Sequence, residues 1–401
     1  MSMQPIKFGT DGVRGRFQEW PITTDGAREI GRAVAAWCER GPVYVGRDTR
    51  ASGTALADAL IAGLNEGGSD AHDGGVMPTA AVSCAVASSG CGAGVVLTAS
   101  HNPWHDNGIK VLDAGGRKPT DIARLEALFG CAPLPGGGQR WTPEAPLGPW
   151  YAMMPDVDLS GLKILLDGAH GAASEAAPLV LEALGAAVVA VGCSPDGRNI
   201  NDGVGATHPP TDLQGCDLGI CLDGDADRII LLDAQGILDG DDILWALAQG
   251  TDGPVVGTVM TNGGLERALG ERLLRAKVGD KHVAALMRSS GASVGAETSG
   301  HVLFDDGMPT GDGLYAALRV LQITQNAPRV AGWSRLPVAK RNLRYVGARR
   351  PLASLTAPDA ARAAGQRVII RYSGTEPLLR ILVEGEDAAV WLERIAEEFL
   401  A

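Results

Sequence analysis

In the stretch LTASHNPWHDNGIK a hydroxyl nucleophile, Ser100, follows the apolar run Ala93 to Thr98 and directly precedes His101 and Asn102. Pro103 keeps Asn102 out of helical geometry, which places Ser100 on an exposed turn. Lys110 supplies an amine further along the same stretch. A serine after a strand is ordinarily a cap or turn former, and the GxSxG elbow of Ser-His-Asp hydrolases is absent around Ser100. Its chemistry therefore depends on what else the chain brings to it.

Three other segments offer partners. DGDADR (223–228) sets Asp223, Asp225 and Asp227 at alternate positions and ends in Arg228. Alternate residues of an extended segment share a face. Carboxylates converging there repel, at about 4 Å and an effective dielectric near 20, by on the order of 4 kcal/mol per pair. A hard oxygen-seeking cation such as Mg²⁺ relieves that repulsion. Spacing alone does not separate a metal site from a solvated acidic loop, but the flanking ICL and IILL argue for the interior. Three ligands leave such an ion unsaturated, so an oxygen on Ser100 or on a phosphate there completes the shell. RYSGTEP (371–377), with Arg380 beyond it, offers Arg371, Ser373, Gly374 and Thr375. A tight turn with inward amides and a guanidinium suits a phosphate dianion; the plain alternative is a hairpin turn with surface arginines. It lacks the lysine of a P-loop. GAETSGH (295–301) places Glu297, Ser299 and His301 on alternate positions, a set that suits sugar hydroxyls or simply a polar loop. FGTDGVRG (8–15) adds Arg14 in a Gly-rich loop.

The elements that must position these groups recur. VYVGRDTR (43–50) leads to a helix carrying Leu56, Leu60 and Leu64. LKILLDGAHG (162–171) leads to one carrying Ala177, Val180, Leu181 and Leu184, then to AVVAVG (187–192). PVVGTVMTNGG (254–264) leads to Leu265, Ala268 and Leu269. Apolar spacings of three and four mark a buried helix face, and strand–helix–strand alternation implies parallel or mixed sheets covered by helices. The Pro- and Gly-dense 131–150 reads as a linker, and a second boundary falls near 236–242. Beyond about residue 325 the texture changes to VIIRY (368–372), LRILVEG (379–385) and a helix carrying Ala388, Trp391, Leu392, Ile395 and Phe399. The expected fold class is α/β. Three similar mixed-sheet domains span 1–145, 146–238 and 239–328, and a small α+β domain spans 329–401.

Composition sets outer limits. At 401 residues the chain exceeds one ordinary core. With 45% hydrophobic and 20% charged residues it is globular. A net charge of -12 argues against nucleic-acid binding, while a small phosphorylated substrate needs only a local cationic pocket. The 7 cysteines, Cys38, Cys84, Cys91, Cys131, Cys193, Cys216 and Cys221, form no CxxC pair and none has a histidine at zinc spacing. They read as reduced thiols of a cytoplasmic protein. The start MSMQPIKFGTDG lacks the apolar region of a signal peptide, and no run approaches a membrane span.

Taken together and in order, FGTDGVRG, TASHNPWHDNGIK, DGDADR, KVGDKHV (277–283), GAETSGH, TGDG (310–313) and SGTEP resemble the α-D-phosphohexomutase superfamily nearly end to end, most closely its branch acting on glucosamine phosphates. The resemblance implies four domains around a central cleft. It also implies interconversion of glucosamine 6-phosphate and glucosamine 1-phosphate through a phosphoserine at Ser100 and a 1,6-bisphosphate. Asp223, Asp225 and Asp227 would hold one Mg²⁺ with a phosphoserine oxygen, and glucosamine or glucose 1,6-bisphosphate would act as activator. Glu297, Ser299 and His301 would bind the sugar. Arg371, Ser373, Gly374, Thr375 and Arg380 would bind its phosphate. Lys110, His101, Arg228 and Arg14 would line the cleft, with Lys110 the first and His101 the second candidate for the base. The implied partner is a small phosphosugar, with no nucleic acid and no membrane, the chain acting as monomer or homodimer. The alternatives are glucose- or mannose-phosphate mutases, a non-catalytic phosphosugar-binding scaffold and a simple Mg²⁺ phosphatase.

The chain departs from the family pattern at several places. Ala226 stands for a glycine, which is tolerable unless that position needs a positive φ. Tyr372 stands for proline, His170 for asparagine and Thr298 for glutamine. The chain is also shorter than usual around 131–145, around 207–216 and in the last domain.

Overall fold

The computed structural model describes residues 6–9, 12–130, 132, 137–373 and 377–400. They form two compact units, one of residues 1–260 and 274–330 and the other of 261–273 and 331–401.

The larger unit holds three sheets. The first runs in the order Val13–Arg16, Asp106–Asp113, Ala93–Leu97, Val43–Arg47, Ala71–Val76, Arg140–Trp141. Its central strands are parallel, while Asp106–Asp113 runs antiparallel to both its neighbours. Val43, Val45, Val95, Val96 and Leu97 are all fully buried, as strands covered on both faces require. Helices Thr24–Trp37 and Gly53–Glu66 cover one face and bury Ile30, Val34, Leu56, Leu60 and Leu64. Each of these side chains contributes about 1.5–3 kcal/mol of burial. The two helices touch backbone to backbone: a Cβ at Gly31 would meet the carbonyl of Leu60, and one at Gly63 the carbonyl of Arg28. The second sheet runs Gly236–Leu238, Ile229–Asp233, Leu218–Leu222, Lys163–Asp167, Ala187–Val191. Its Lys163–Asp167 strand is parallel to both neighbours, and Ile229–Asp233 returns antiparallel. In the third, Val255–Thr258 lies parallel to Val294–Ala296, which turns back into Val302–Phe304. The mixed α/β character expected from the strand–helix repeats is what forms.

The expected linker 131–150 is more than a linker. Arg140–Trp141 adds a parallel edge strand beside Ala71 and His72, and Arg140 pairs with Asp58 and Asp73. Trp150 is fully buried and its indole N–H donates to Asp312. Short Pro/Gly-rich spacing hides these elements because two residues suffice for an edge strand.

In the smaller unit Val338–Arg344, Leu378–Glu384 and Arg367–Tyr372 form an antiparallel sheet, with Leu378–Glu384 central. Helix Ala388–Leu400 packs Leu392, Ile395 and Phe399 against it, as the spacing predicts. The third repeat's helix, Gly263–Leu269, belongs to this unit rather than to the sheet preceding it. Its first amide donates to Glu384, and Asn262 is tied to Leu336.

Candidate active site

The Ser100 loop leaves the C-terminal end of the buried strand Ala93–Leu97. Thr98 Oγ1 accepts from the Ser100 amide at 2.8 Å, and the Asn102 amide returns to the Ala99 carbonyl. Ser100 takes φ 53°, a left-handed conformation that costs an L-residue about 1–2 kcal/mol. It is 1% exposed. The exposed turn expected from the sequence is thus corrected: the loop is roofed by residues distant in the chain. A Cβ on Gly224 would lie 2.6 Å from the Ser100 carbonyl, so only glycine allows this close approach. Ser100 Oγ donates to Asp223 Oδ2 at 2.7 Å, and His101 Nδ1 lies 3.3 Å from the same hydroxyl.

The three aspartates converge, but not by strand alternation. The segment turns, with the Ala226 amide on the Asp223 carbonyl and Ala226 at φ 59°. The positive φ that makes alanine costly is therefore present. The three carboxylates lie within 4.8 Å of one another and are buried. Lys110 reaches them from Asp106–Asp113, the antiparallel neighbour of the Ser100 strand. Its Nζ donates to Asp225 Oδ2 at 2.7 Å and to Asp227 Oδ2 at 2.9 Å. The surroundings of Lys110, the first candidate for the base, are thus anionic, which favours its ammonium form, and it acts here as a donor. Thr79 adds a hydroxyl to Asp225 Oδ2, and the Arg228 amide donates to Asp223 Oδ1.

Electrostatics separate the carboxylates. Burial, then Asp227 and Asp225, push the Asp223 carboxyl up to about 7. Burial pushes Asp227 the same way, but Lys110, His301 and Arg228 prevail and hold it well below the usual range. Asp225 Oδ1 is buried with no hydrogen-bond donor among the described residues. An oxygen-only, dehydrated donor set with such an unpartnered carboxylate oxygen fits a small divalent cation. His101 is half-buried; desolvation, then the nearby Arg228 and Arg14, lower its imidazole to about 4, so it is neutral near pH 7.

The sugar-loop candidates sit on the turn between Val294–Ala296 and Val302–Phe304. A backbone bridge between Arg228 and His301 joins this turn to the aspartate loop. His301 lies 3.7 Å from Asp227; although burial opposes its charging, Asp227 and Asp280 lift it to about 9. Glu297 is half-buried and accepts the Gly279 amide, while Ser299 is exposed. Thr298, at the departed position, donates to Asp241. Arg14 is half-buried on Val13–Arg16, opposite Gly108. A cleft of about 710 Å³ opens beside the aspartates, with Lys110, Asp227 and His301 among its lining residues and Arg117, Lys118, Lys281 and Arg288 set against Asp113, Asp280 and Asp305.

The phosphate-loop candidates belong to the smaller unit. Arg371 and Arg380 are direct cross-strand partners, an arrangement of like charges that is unfavourable unless an anion joins them. Ser373 is buried, its amide closing the turn onto Leu378 and its carbonyl accepting from Arg349. Gly374 and Thr375 lie outside the described residues. Tyr372, in place of proline, is held by its hydroxyl on the Arg350 carbonyl and by Arg349 over its ring.

Sequence reasoning missed Thr79, Lys118, Asp280, Asn201 and Arg50. Lys118 meets Asp280 at 2.5 Å beside the cleft. Arg50 and Asn201 lie under the Ser100 loop. Arg50 ends the quoted VYVGRDTR, three residues beyond the strand Val43–Arg47, and Asp280 lies within KVGDKHV, but neither segment shows by itself which groups its charge meets.

Comparison with known proteins follows this geometry. Residues 5–129, 152–236 and 239–332 match the phosphoglucomutase/phosphomannomutase alpha/beta/alpha domains I, II and III, and residues 350–401 match the C-terminal domain of the same family. The chain is 41% identical to a phosphoglucosamine mutase of Aeromonas hydrophila over 94% of each protein. It is also 41% identical to one of Burkholderia cenocepacia over 95% of each. A solved phosphoglucomutase/phosphomannomutase family protein from Burkholderia thailandensis superposes with a TM-score of 0.75 at 27% identity, covering 97% of this chain and 95% of that one.

Proposed function

The chain belongs to the phosphoglucomutase/phosphomannomutase family, and on that premise we propose that it interconverts glucosamine 6-phosphate and glucosamine 1-phosphate by way of a phosphoserine at Ser100. The observation that carries this reading is Ser100 Oγ at 2.7 Å from Asp223, where three buried carboxylates and Lys110 meet. The substrate assignment draws on relatives named phosphoglucosamine mutase that cover nearly the whole chain.

In the forward direction the bond between phosphorus and Ser100 Oγ breaks as one forms to the C1 hydroxyl oxygen of glucosamine 6-phosphate. The hydroxyl proton passes to a base. The resulting 1,6-bisphosphate presents its other end, Ser100 Oγ takes the 6-phosphoryl group, and the proton returns to the C6 oxygen. Serine is thereby rephosphorylated and the product is the 1-phosphate. Asp223, Asp225 and Asp227, with an oxygen on Ser100, would hold a Mg²⁺ ion that neutralises charge on the transferring group. Lys110 and His101 are the groups placed to handle the proton: Lys110 as a donor held by Asp225 and Asp227, His101 as a neutral imidazole beside the hydroxyl. Arg14, Arg228, Glu297, Ser299 and His301 would position the sugar. Arg371, Ser373, Gly374, Thr375 and Arg380 would take the phosphate not being transferred. A hexose 1,6-bisphosphate would supply the first phosphoryl group. No helix among the described residues is long and apolar enough to cross a membrane.

The test is phosphorus NMR with Mg²⁺ and bisphosphate, running glucosamine, glucose and mannose 6-phosphates side by side. Preferential appearance of glucosamine 1-phosphate is expected. Faster conversion of glucose or mannose phosphate would move the substrate to those sugars, and release of inorganic phosphate alone would make the protein a phosphatase.

A further inference from the structure

The Arg50 side chain is 1% exposed and lies beneath the Ser100 loop. Its Nε donates to Asp48 Oδ2 at 2.8 Å. Nη2 donates to the carbonyls of Ser100 at 2.9 Å and Asn102 at 2.8 Å. Nη1 donates to the carbonyls of Pro103 and, at 3.0 Å, of Asp106. All five guanidinium N–H groups are thus used, four of them on main-chain oxygens of one short loop. Asp48 accepts the Arg50 amide through its other oxygen at 3.0 Å, which closes the turn that aims the side chain.

A second donor comes from another part of the unit. Asn201 Nδ2 reaches the same two carbonyls, Ser100 at 2.9 Å and Asn102 at 3.2 Å. Further ties fix the turn carrying Arg50: the Ala51 amide donates to Gly197, and the Thr49 hydroxyl to His170. The loop therefore keeps its left-handed Ser100 because its carbonyls are pulled inward from beneath. With the carbonyl fixed, Oγ points at Asp223.

We infer that Arg50 is a positioning residue for phosphoryl transfer, setting the direction of Ser100 Oγ through the loop backbone without touching substrate. The inference rests on the phosphoserine reading. Arg50 is buried with all five N–H groups taken by protein acceptors, so its loss leaves sugar phosphate binding in place while misaiming the oxygen that must attack and leave in line. Lysine keeps the charge, but its three donors on a flexible stem cannot span four carbonyls and a carboxylate.

The test compares wild type, Arg50→Lys and Asn201→Leu, each primed with bisphosphate and Mg²⁺. Phosphoserine is quantified by mass spectrometry, and kcat is expressed per phosphorylated site. Arg50→Lys is expected to unfold cooperatively on heating, keep KM within about threefold and lose about 100-fold in kcat, the scale of a misplacement near 1 Å. Asn201→Leu should lose about tenfold in kcat at unchanged KM, as removal of one of two donors implies. Wild-type kcat in Arg50→Lys, or a fall matched by KM, overturns the inference. Should Arg50→Lys fail to fold, Asn201→Leu decides: an unchanged kcat overturns the inference, and a lowered one with constant KM supports it. A wild-type protein that turns over without phosphoserine at Ser100 sinks the functional reading itself, a result distinct from wild-type behaviour of the variants.

Discussion

The Ser100 loop and the hairpin bearing Arg371 and Arg380 are both assigned to phosphoryl groups, yet they are built in opposite ways. Ser100 is buried, its backbone is left-handed, its hydroxyl is bonded to Asp223, and its carbonyl is shared by Arg50 and Asn201. The hairpin instead sets two arginines directly across from each other, with Arg371 exposed. A group that makes and breaks bonds gains from being fixed before the reaction. A group that captures a dianion gains from guanidinium donors held side by side, whose planar forks match its oxygens.

Predictions that test this contrast begin with the chemical side. Ser100→Ala should abolish mutase turnover, because no other hydroxyl replaces Oγ beside Asp223. Cooperative unfolding should persist, since the change removes one atom from a loop held by its carbonyls. Coupled assay and thermal melting check the two halves; substantial residual turnover would remove Ser100 from the mechanism. Asp225→Asn should come next, with kcat down by at least about 100-fold and the Mg²⁺ concentration for half-activation raised, as expected for loss of one charge from the metal set. A Mg²⁺ titration of the variant checks both. On the capture side, Arg371→Ala should raise KM for the sugar phosphate by about 10–100-fold, the worth of a charged hydrogen bond, with a smaller change in kcat. Steady-state kinetics at fixed Mg²⁺ measure that split, and a pure kcat effect would erase the proposed division of labour.

How much of this was legible in the sequence differs between the two regions. The aspartates were readable as an interior cluster because the apolar ICL and IILL flank them. The turn that joins them was not, because the positive φ at Ala226 depends on the Gly313 amide bonding its carbonyl. The burial of Ser100 was equally hidden. It is set by Arg50 and Gly224, which lie far from it in the chain, and local pattern carries no information about such contacts. Lys110 stands out in the sequence as an amine ten residues after Ser100, but its anionic setting follows from strand pairing beside Ala93–Leu97 rather than from its neighbours in sequence. The α+β texture after residue 325 was plain, whereas the inclusion of Gly263–Leu269 in that unit was not, since its apolar spacing fits either sheet.

The smallest predicted effect concerns the same turn. Ala226→Gly removes a left-handed alanine and should stabilise the fold by about 0.5–1 kcal/mol after glycine's own entropy cost is set against the relieved strain. Thermal unfolding at fixed Mg²⁺ reads it, and a lower melting temperature would mean the methyl's packing outweighs the backbone strain.

Passage of the phosphoryl group through Ser100 can be followed with a hexose 1,6-bisphosphate labelled in its phosphoryl groups. The label is first located on the protein by tandem mass spectrometry and then chased with glucosamine 6-phosphate. Label is expected on Ser100 alone, transferred to the sugar at least as fast as steady-state turnover. Label on another residue, or its loss as inorganic phosphate during the chase, would contradict passage through Ser100.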